Sequence, residues 1–407
     1  MHRRASKPFP MTAILALACL FGGAPLFAAN IVVDNLELVS YGSYDAATGT
    51  FPVVSRLAFD LSVGGGEKFA GLLRLDFLST QVESDLATLS GSLAQTGTAT
   101  TDIANLIARA NAPGLRLKTA AVTAKRVAGL PLDAEYFVGT LDTFCSGDDF
   151  VTLFGAAPFA TELRGPLVYP NGIKLNPTVS WDGLYSVYGT GARLGWATSD
   201  RSHVYAYFYQ DSNLGAGTGD WSSDIRGLVD FGSVKLEGFA GSSWDPGHAV
   251  GIYRGGLLFH VAPGNIGEFY AQVGVPEWDP VAGFDVNDIF FLFEPRVGFG
   301  GSGQLALSVF YHPAYYQQKA TGEGGALDVG FNLRFGRLAD TGAQGGVESY
   351  LKFRPIEPFP LTATLSPYYE AILSGVAWSF KLGMDLFPFP ASWLAIFQPF
   401  VGVKTSF

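Results

Sequence analysis

Apolar residues occupy every second position over many short segments of this chain, and this period of two is the feature that most constrains its fold. Within residues 56–63, the apolar side chains fall at odd positions, while Arg56 and Asp60 fall at even ones. After a glycine-rich link at 64–67, the same alternation resumes over residues 69–77. Two alternating strands around a short turn predict a β-hairpin with a fixed register, because a slip by one residue would exchange the faces.

The alternation recurs along the chain. It is found at 234–237, 254–261, 304–312, 327–335, 347–354 and 376–386. In the fourth of these segments, Phe331, Leu333 and Phe335 share one face, and Asp328, Asn332 and Arg334 share the other. We expect the first face to contact lipid and the second to line a lumen.

Composition separates a membrane barrel from a soluble sheet. Charged residues make up 15% of the chain and aromatic residues 14%, whereas soluble domains carry about 25% charged residues. The mean hydropathy is +0.23, yet no apolar run after Asn30 reaches the ~18 residues of a membrane-spanning helix. A soluble antiparallel sheet would have polar faces richer in Lys and Glu. A hydrophobic chain without a helical span is typical of a transmembrane β-barrel.

Short and long links between the predicted strands alternate, as expected for outer-membrane barrels with short periplasmic turns and longer external loops. The short links are 64–67, 129–132, 198–202, 232–233, 262–265, 300–303 and 374–375. The long links are 80–113, 142–182, 211–220, 241–248, 277–287 and 313–324. The link at 336–345 is long for a periplasmic turn. The count is about 18 strands, and 16 is equally compatible with the pattern. An even number places both termini in the periplasm.

The amino-terminal residues 1–29 have the features of a cleaved export signal. A basic start precedes an apolar stretch at 11–26, and Ala28 and Ala29 offer small residues for cleavage. A membrane anchor is disfavoured because the apolar stretch is short and is interrupted at Pro25. The mature barrel is then expected to span residues 30–407.

The carboxy-terminal strand carries a further signal. Val401, Val403 and Phe407 share one face of an amphipathic strand that ends the chain on an aromatic residue. This ending resembles the assembly signal of bacterial outer-membrane β-barrels. With the strand and loop pattern, it makes the chain resemble porin-type barrels over its whole mature length. The resemblance implies an all-β transmembrane antiparallel barrel of 16–18 strands in the bacterial outer membrane. It also implies the barrel assembly machinery, membrane lipid and small solutes as partners.

Charge excludes one class of partner. The chain has 26 Lys and Arg against 36 Asp and Glu, and removal of Arg3, Arg4 and Lys7 leaves 23 against 36, or −13. Nucleic-acid binding is not expected, because phosphate recognition requires a basic surface.

The polar faces of the strands predict a lumen wall that is basic by five charges, 14 against 9. The basic residues predicted to line the pore are Arg56, Arg74, Arg116, Lys118, Arg193, Arg226, Lys235, Arg254, Arg296, Arg334, Lys352, Arg354, Lys381 and Lys404. The acidic ones are Asp60, Asp76, Glu135, Asp230, Glu237, Glu294, Asp328, Glu348 and Asp385. Such a wall favours anions. The alternative is that opposite charges on neighbouring strands neutralise each other and brace the barrel.

A barrel of 16–18 strands is wide enough for an aqueous channel unless it is plugged. We therefore expect passive diffusion of small hydrophilic solutes, with loops 80–113 and 142–182 as candidates for narrowing the pore. Each loop has an alternative interpretation as a solvated external flap. The alternative function is a surface adhesin or receptor that displays loops on a plugged or narrow barrel. The identity of the solute and the oligomeric state stay open.

No catalytic, cofactor or metal motif is found, so we do not predict an enzyme. The sequence G-x-G-x-x-G at 298–303 leads into a strand and not into a helix, so it is better explained as a hairpin turn. The acidic cluster of Glu277, Asp279, Asp285 and Asp288 lacks a recognisable spacing of calcium ligands, which favours a solvated loop. After cleavage Cys145 is the only cysteine, and no disulfide is expected.

Overall fold

The computed structural model describes residues 30–79, 115–156, 161–162, 183–212, 221–244, 251–264, 267–312, 326–353 and 361–406. The predicted signal at 1–29, the loop at 80–113, Arg354 and Phe407 lie outside the described residues.

Eighteen β-strands make up most of the described chain. The first nine are β1 (Asn30–Gly42), β2 (Val53–Gly65), β3 (Phe69–Ser79), β4 (Leu115–Ala124), β5 (Leu132–Phe144), β6 (Tyr185–Ser199), β7 (Ser202–Asp211), β8 (Trp221–Asp230) and β9 (Val234–Trp244). The others are β10 (Ile252–Val261), β11 (Gly267–Trp278), β12 (Phe290–Phe299), β13 (Gly303–His312), β14 (Ala326–Arg337), β15 (Ala343–Phe353), β16 (Leu361–Leu373), β17 (Val376–Phe387) and β18 (Phe397–Ser406). Two short α-helices, α1 (Asp148–Phe154) and α2 (Leu338–Thr341), occur in this described part.

The strands form one closed barrel. Each strand pairs antiparallel with its neighbours in sequence, and β18 pairs with β1, with Val401 opposite Ser40 and Val403 opposite Leu38. Closure removes the sheet edge, whose unpaired N–H and C=O groups would cost several kcal/mol each in lipid. The predicted fold class is confirmed, and the strand number is 18.

Short turns join the strands at one end of the barrel, here the short-turn end, and the long links lie at the other, the long-loop end. At the turn between β12 and β13, Gly300 and Gly301 have φ values of 56° and 77°, a conformation that glycine adopts without a steric cost. The long link at 336–345 is occupied by α2, which ends at Gly342 with φ 70°. Among the described residues, no helix is long and apolar enough to cross a membrane.

The two faces of the barrel wall differ in exposure, as the alternation requires. On β14, Phe331 and Phe335 are exposed, while Asp328 and Asn332 are buried. Polar side chains are therefore sequestered inside the barrel, and apolar ones form its outer surface. This distribution is the reverse of the one in a soluble protein.

Candidate functional site: the barrel interior

The chain that follows β5 folds into the barrel. We call its described part, residues 145–156 with 161–162, the inner segment. The Cys145 N–H donates to Glu237 Oε1 on β9 at 2.5 Å. The Cys145 carbonyl accepts hydrogen bonds from Tyr270 (3.2 Å) and Gln272 on β11. The first residue of the segment is thus held by strands far from β5.

Helix α1 is attached by an ion pair to a buried arginine. Asp149 pairs with Arg226 on β8, and Arg226 Nε also lies 2.7 Å from Glu237 Oε1. The side chains of Arg226 and Glu237 are fully buried. The Glu237 carboxylate on β9 thus contacts both Cys145 of the inner segment and Arg226 of β8. It links the inner segment to these two strands.

A second attachment point lies at Glu162. Its N–H donates to both carboxylate oxygens of Glu294 on β12, at 3.0 and 2.8 Å. Its side chain accepts a hydrogen bond from Asn332 on β14, and its carbonyl accepts one from Tyr350 on β15 at 3.3 Å. The inner segment therefore crosses the interior from β5 to β12–β15. Of the two interpretations of loop 142–182, its described part follows the one in which the loop folds inward.

Aromatic and aliphatic side chains pack against the inner segment inside the barrel. Phe150 of α1 belongs to a buried cluster with inward side chains of β4–β13. Its largest members include Phe137, Phe144, Tyr185, Tyr207, Tyr209, Phe239, Tyr270, Phe290 and Phe310. This cluster excludes water from one side of the lumen. We call the inward face of β5–β17, with the inner segment, the packed side.

Two ion pairs of the packed side are almost fully buried. Arg254 Nε and Nη2 donate to the carboxylate of Asp224 at 2.6 and 2.8 Å, and its guanidinium lies 4.1 Å from the centre of the Tyr185 ring. Lys381 Nζ lies 2.5 Å from Glu348 Oε1, with both side chains almost fully buried. Burial of an unpaired charge would be costly, and these partners offset that cost.

Two further arginines of this side bridge pairs of carboxylates. Arg193 contacts Glu135 at 2.5 Å and Asp142 at 2.6 Å. Arg296 contacts Glu294 at 2.5 Å and Glu268 at 2.9 Å. These arginines brace neighbouring strands.

The inward face of β18 and β1–β4 is different, and we call it the open side. Arg56 bridges Glu37 at 3.2 Å and Asp76 at 3.0 Å. Arg74 Nε lies 3.7 Å from Asp60, and these two side chains are 38% and 29% exposed. Arg74 and Asp60 thus retain access to solvent, whereas Arg56 is buried between Glu37 and Asp76.

Three basic residues of the open side are exposed. Lys404 lies opposite Glu37 in the strand register, and Arg116 lies opposite Asp76. Lys118 is exposed at a bulge between β3 and β4. Within the described ranges, no ion pair is seen for these three residues.

At the long-loop end, the open side carries a small apolar cluster. Val39, Tyr41, Val54 and Phe400 are buried there, with Leu78 against them. The Tyr41 hydroxyl donates to Gln398 at 2.9 Å.

The predicted pore-lining residues thus fall into three groups. Arg56, Arg74, Asp76, Arg116 and Lys118 lie on the open side, and Glu135, Arg193, Arg226, Arg254, Arg296 and Arg334 lie on the packed side. Arg334 donates to Gln304. The third group is Arg354, which lies outside the described residues.

The predicted basic excess of the wall is wrong for the described interior. The register places further carboxylates on the inner face: Glu37, Asp142, Asp211, Asp224, Glu268 and Glu370. The inner segment adds Asp149 and Glu162. Asp211 ends the aromatic run 205–211, in which polar alternation is weak, and Asp142, Asp149 and Glu162 lie in the segment predicted as a loop, which has no period. Glu37, Asp224, Glu268 and Glu370 lie on strands, but the predicted wall does not include them. The alternative, that wall charges neutralise one another, describes the packed side.

Neither the acidic loop nor the free cysteine forms a chemical site in the described structure. Asp285 and Asp288 cap a short 3₁₀ turn, Val286–Asp288, and among the described residues no group of three or more His, Cys, Asp or Glu is arranged to hold a metal ion. Cys145 is buried, and this burial raises the pKa of its thiol well above the usual range. The thiol therefore stays protonated near neutral pH, where it is a poor nucleophile.

Comparison with known proteins gives weak likenesses. No protein-family model and no curated protein matches the chain. Among solved structures, a triple mutant of the Rhodopseudomonas blastica porin is 12% identical with a TM-score of 0.46, over 93% of this chain and 100% of the porin. Another mutant of the Rh. blastica porin is 11% identical with a TM-score of 0.47, over the same shares of the two chains. The fold class rests on the strand pairing and not on these likenesses.

Proposed function

We propose that this protein is a porin-like channel of the bacterial outer membrane through which small hydrophilic solutes diffuse passively along the open side. The observation that carries this proposal is the unequal filling of the lumen. The inner segment and the buried cluster fill the interior along β4–β13, while the Arg74 and Asp60 side chains on β3 and β2 stay 38% and 29% exposed.

The size of the barrel supports a water-filled path. Barrels of 16–18 strands leave an aqueous channel where nothing plugs them. The described inner segment contacts β7–β15, and in the charged row on β1–β3 the side chains of Glu37 and Asp76 are 26% and 22% exposed beside the buried Arg56. A path along this row would pass polar groups that can replace part of a solute's hydration.

The outer surface supports membrane insertion. Its exposed side chains include Leu194, Ile225, Phe293, Phe331 and Phe380 on strands around the barrel. A continuous apolar band of this kind is favourable in lipid and unfavourable in water. Export through the signal at 1–29 and closure of the barrel by the assembly machinery complete the proposal.

Deletion of Phe407 should lower the outer-membrane level of the protein without reducing its export.

Planar-bilayer recording tests the channel directly. We expect stable ohmic conductance from the purified barrel, because a water-filled path conducts ions without a conformational step. Insertion without conductance, verified by a lipid-flotation assay on the same sample, would reject the channel.

The second candidate function, an adhesin or receptor on a plugged barrel, is favoured by one observation. The aromatic cluster around Phe150 fills much of the interior with dry side chains. Conductance distinguishes the two functions, because a barrel that only displays loops needs no open path.

A further inference from the structure

The loop between β17 and β18 is unusual in having no charge. Between Asp385 and Lys404 lie the residues 386–403, eighteen in a row without Asp, Glu, Lys or Arg. The run includes the whole loop at the long-loop end and the adjoining strand ends.

Large apolar side chains of this loop are exposed. Phe389 and Trp393 are 70% and 69% exposed, and Phe387 and Leu394 are exposed as well. The 3₁₀ turn Trp393–Ile396 lies against β17 and β18, with the Ala395 N–H bonded to the Ser392 carbonyl. An apolar surface of this kind marks a place where the chain meets something other than water.

Two other described loops at the same end have a different composition. The β1–β2 loop holds Asp45, which accepts hydrogen bonds from the Ala47 N–H and the Thr48 hydroxyl. The β11–β12 loop also exposes apolar residues, among them Phe284, but it carries Asp279, Asp285 and Asp288 between them. Carboxylates keep those two loops hydrated, and the β17–β18 loop has none.

The loop also continues the outer face of the barrel. Phe380 and Leu386 on β17 and Phe397 and Val401 on β18 are exposed outward. No charged residue separates this face from Phe387, Phe389 and Trp393. In the β17–β18 loop, the apolar outer surface therefore extends past the strand ends. At the same height, the β1–β2 and β11–β12 loops carry aspartates.

We propose that the β17–β18 loop lies in the lipid of the outer leaflet, at the boundary between headgroups and acyl chains. This inference rests on the proposed insertion of the barrel into a membrane. Tryptophan favours that boundary, because its ring is apolar and its N–H can still reach water or headgroups. Irregular backbone excludes a deeper position, since lipid-exposed loops would leave polar groups unpaired in the hydrocarbon.

Fluorescence quenching of the reconstituted full-length protein tests the position of Trp393. The emission that is lost in Trp393→Phe isolates the contribution of this residue from the other tryptophans. In phosphatidylcholine vesicles whose acyl chains are brominated near the headgroup, we expect most of this contribution to be quenched. Acrylamide in the aqueous phase should quench it weakly. The matched control is Phe284→Trp, which adds one tryptophan on the acidic loop and should show the opposite preference.

Each other outcome has a defined meaning. Strong quenching by acrylamide with little by brominated lipid would overturn the proposal, because the loop would then lie in water. Protection from both quenchers would also overturn it and indicate a protein contact, such as a second copy of this chain. If brominated lipid quenched the tryptophan of Phe284→Trp as strongly as Trp393, the acidic loop would also lie in lipid. The absence of charge would then not distinguish the β17–β18 loop, and the proposal would fail.

The same experiment separates this inference from the proposed function. Outward tryptophans on the strands, such as Trp196, Trp221 and Trp244, are exposed on the barrel wall. If brominated lipid leaves the total emission unchanged, the barrel is not in the bilayer and the proposed channel fails as well. If brominated lipid quenches the total emission but not the Trp393 contribution, only the proposed lipid position of the β17–β18 loop is rejected.

Discussion

Two ion pairs in the same barrel interior show how differently its two sides are built. On the packed side, Arg226 and Glu237 lie 2.7 Å apart with both side chains fully buried. On the open side, Arg74 and Asp60 lie 3.7 Å apart and are 38% and 29% exposed. Both pairs join an arginine to a carboxylate on the adjacent strand, but only the first pair is also contacted by the inner segment, through Cys145 and Asp149.

This comparison separates structural charge from functional charge. A charged group covered by the inner segment has lost its hydration and depends on its partner. A solvated group keeps a field that ions in the lumen can sense, within a Debye length of about 8–10 Å. We infer that bracing is the role of the packed side and that contact with solutes is the role of the open side.

Removal of one carboxylate from each pair should give the largest contrast. Glu237→Ala leaves the buried Arg226 with Asp149 alone and also removes the acceptor of the Cys145 N–H. We expect a loss of about 3–5 kcal/mol in the free energy of unfolding. Asp60→Ala, the open-side control, should cost about 0–1 kcal/mol. Denaturant titration of both variants folded into vesicles measures the difference, and equal costs would erase the distinction between the two sides.

A substitution on the outer face should have the next largest effect. Leu333→Arg on β14 places a charge against lipid and should cost roughly 2–4 kcal/mol if the residue lies near the bilayer midplane. Strand alternation alone predicts that the neighbouring, lumen-facing Asn332 tolerates arginine, but Asn332 is buried and donates a hydrogen bond to Glu162. A better inward control is therefore Asp60→Asn on the open side. If Leu333→Arg unfolds with the stability of the wild type, β14 does not face lipid as its exposure indicates.

Ion selectivity should show the smallest effect. The described open side carries the basic residues Arg56, Arg74, Arg116, Lys118 and Lys404 against Glu37, Asp60 and Asp76. We predict weak anion preference, and the double variant Arg116→Gln and Lys404→Gln should move the reversal potential in a salt gradient toward cations. Lys68→Gln, in an exposed short turn, is the control and should leave it unchanged. Clear cation preference of the wild type would instead assign selectivity to the acidic inner segment.

Much of the fold followed from the sequence for a simple physical reason. A strand with one face in lipid must alternate, so segments such as 327–335 reveal both their extent and their register. The turn at 298–303 was also predictable, because a glycine-rich link between alternating strands has few other uses. The pairing of β18 with β1 follows from the need to close the sheet.

The division of the interior did not follow from the sequence. Which side the inner segment covers depends on contacts between residues far apart in the chain, such as Glu162 with Asn332 and Cys145 with Glu237. No local period encodes such contacts. Strand alternation could assign Arg226 and Arg74 to the lumen, but it assigned them the same role, and only the inner segment separates them.

Covalent block of single positions during conductance recording tests the central claim most directly. Native Cys145 gives no background, because burial keeps its thiol protonated and out of reach. Asp60→Cys on the open side and Ser243→Cys, a buried position on the packed side, are each exposed to a water-soluble methanethiosulfonate reagent. We predict that conductance falls on modification of Asp60→Cys and stays constant with Ser243→Cys. A fall at Ser243→Cys with none at Asp60→Cys would show that ions pass through the side that we describe as packed.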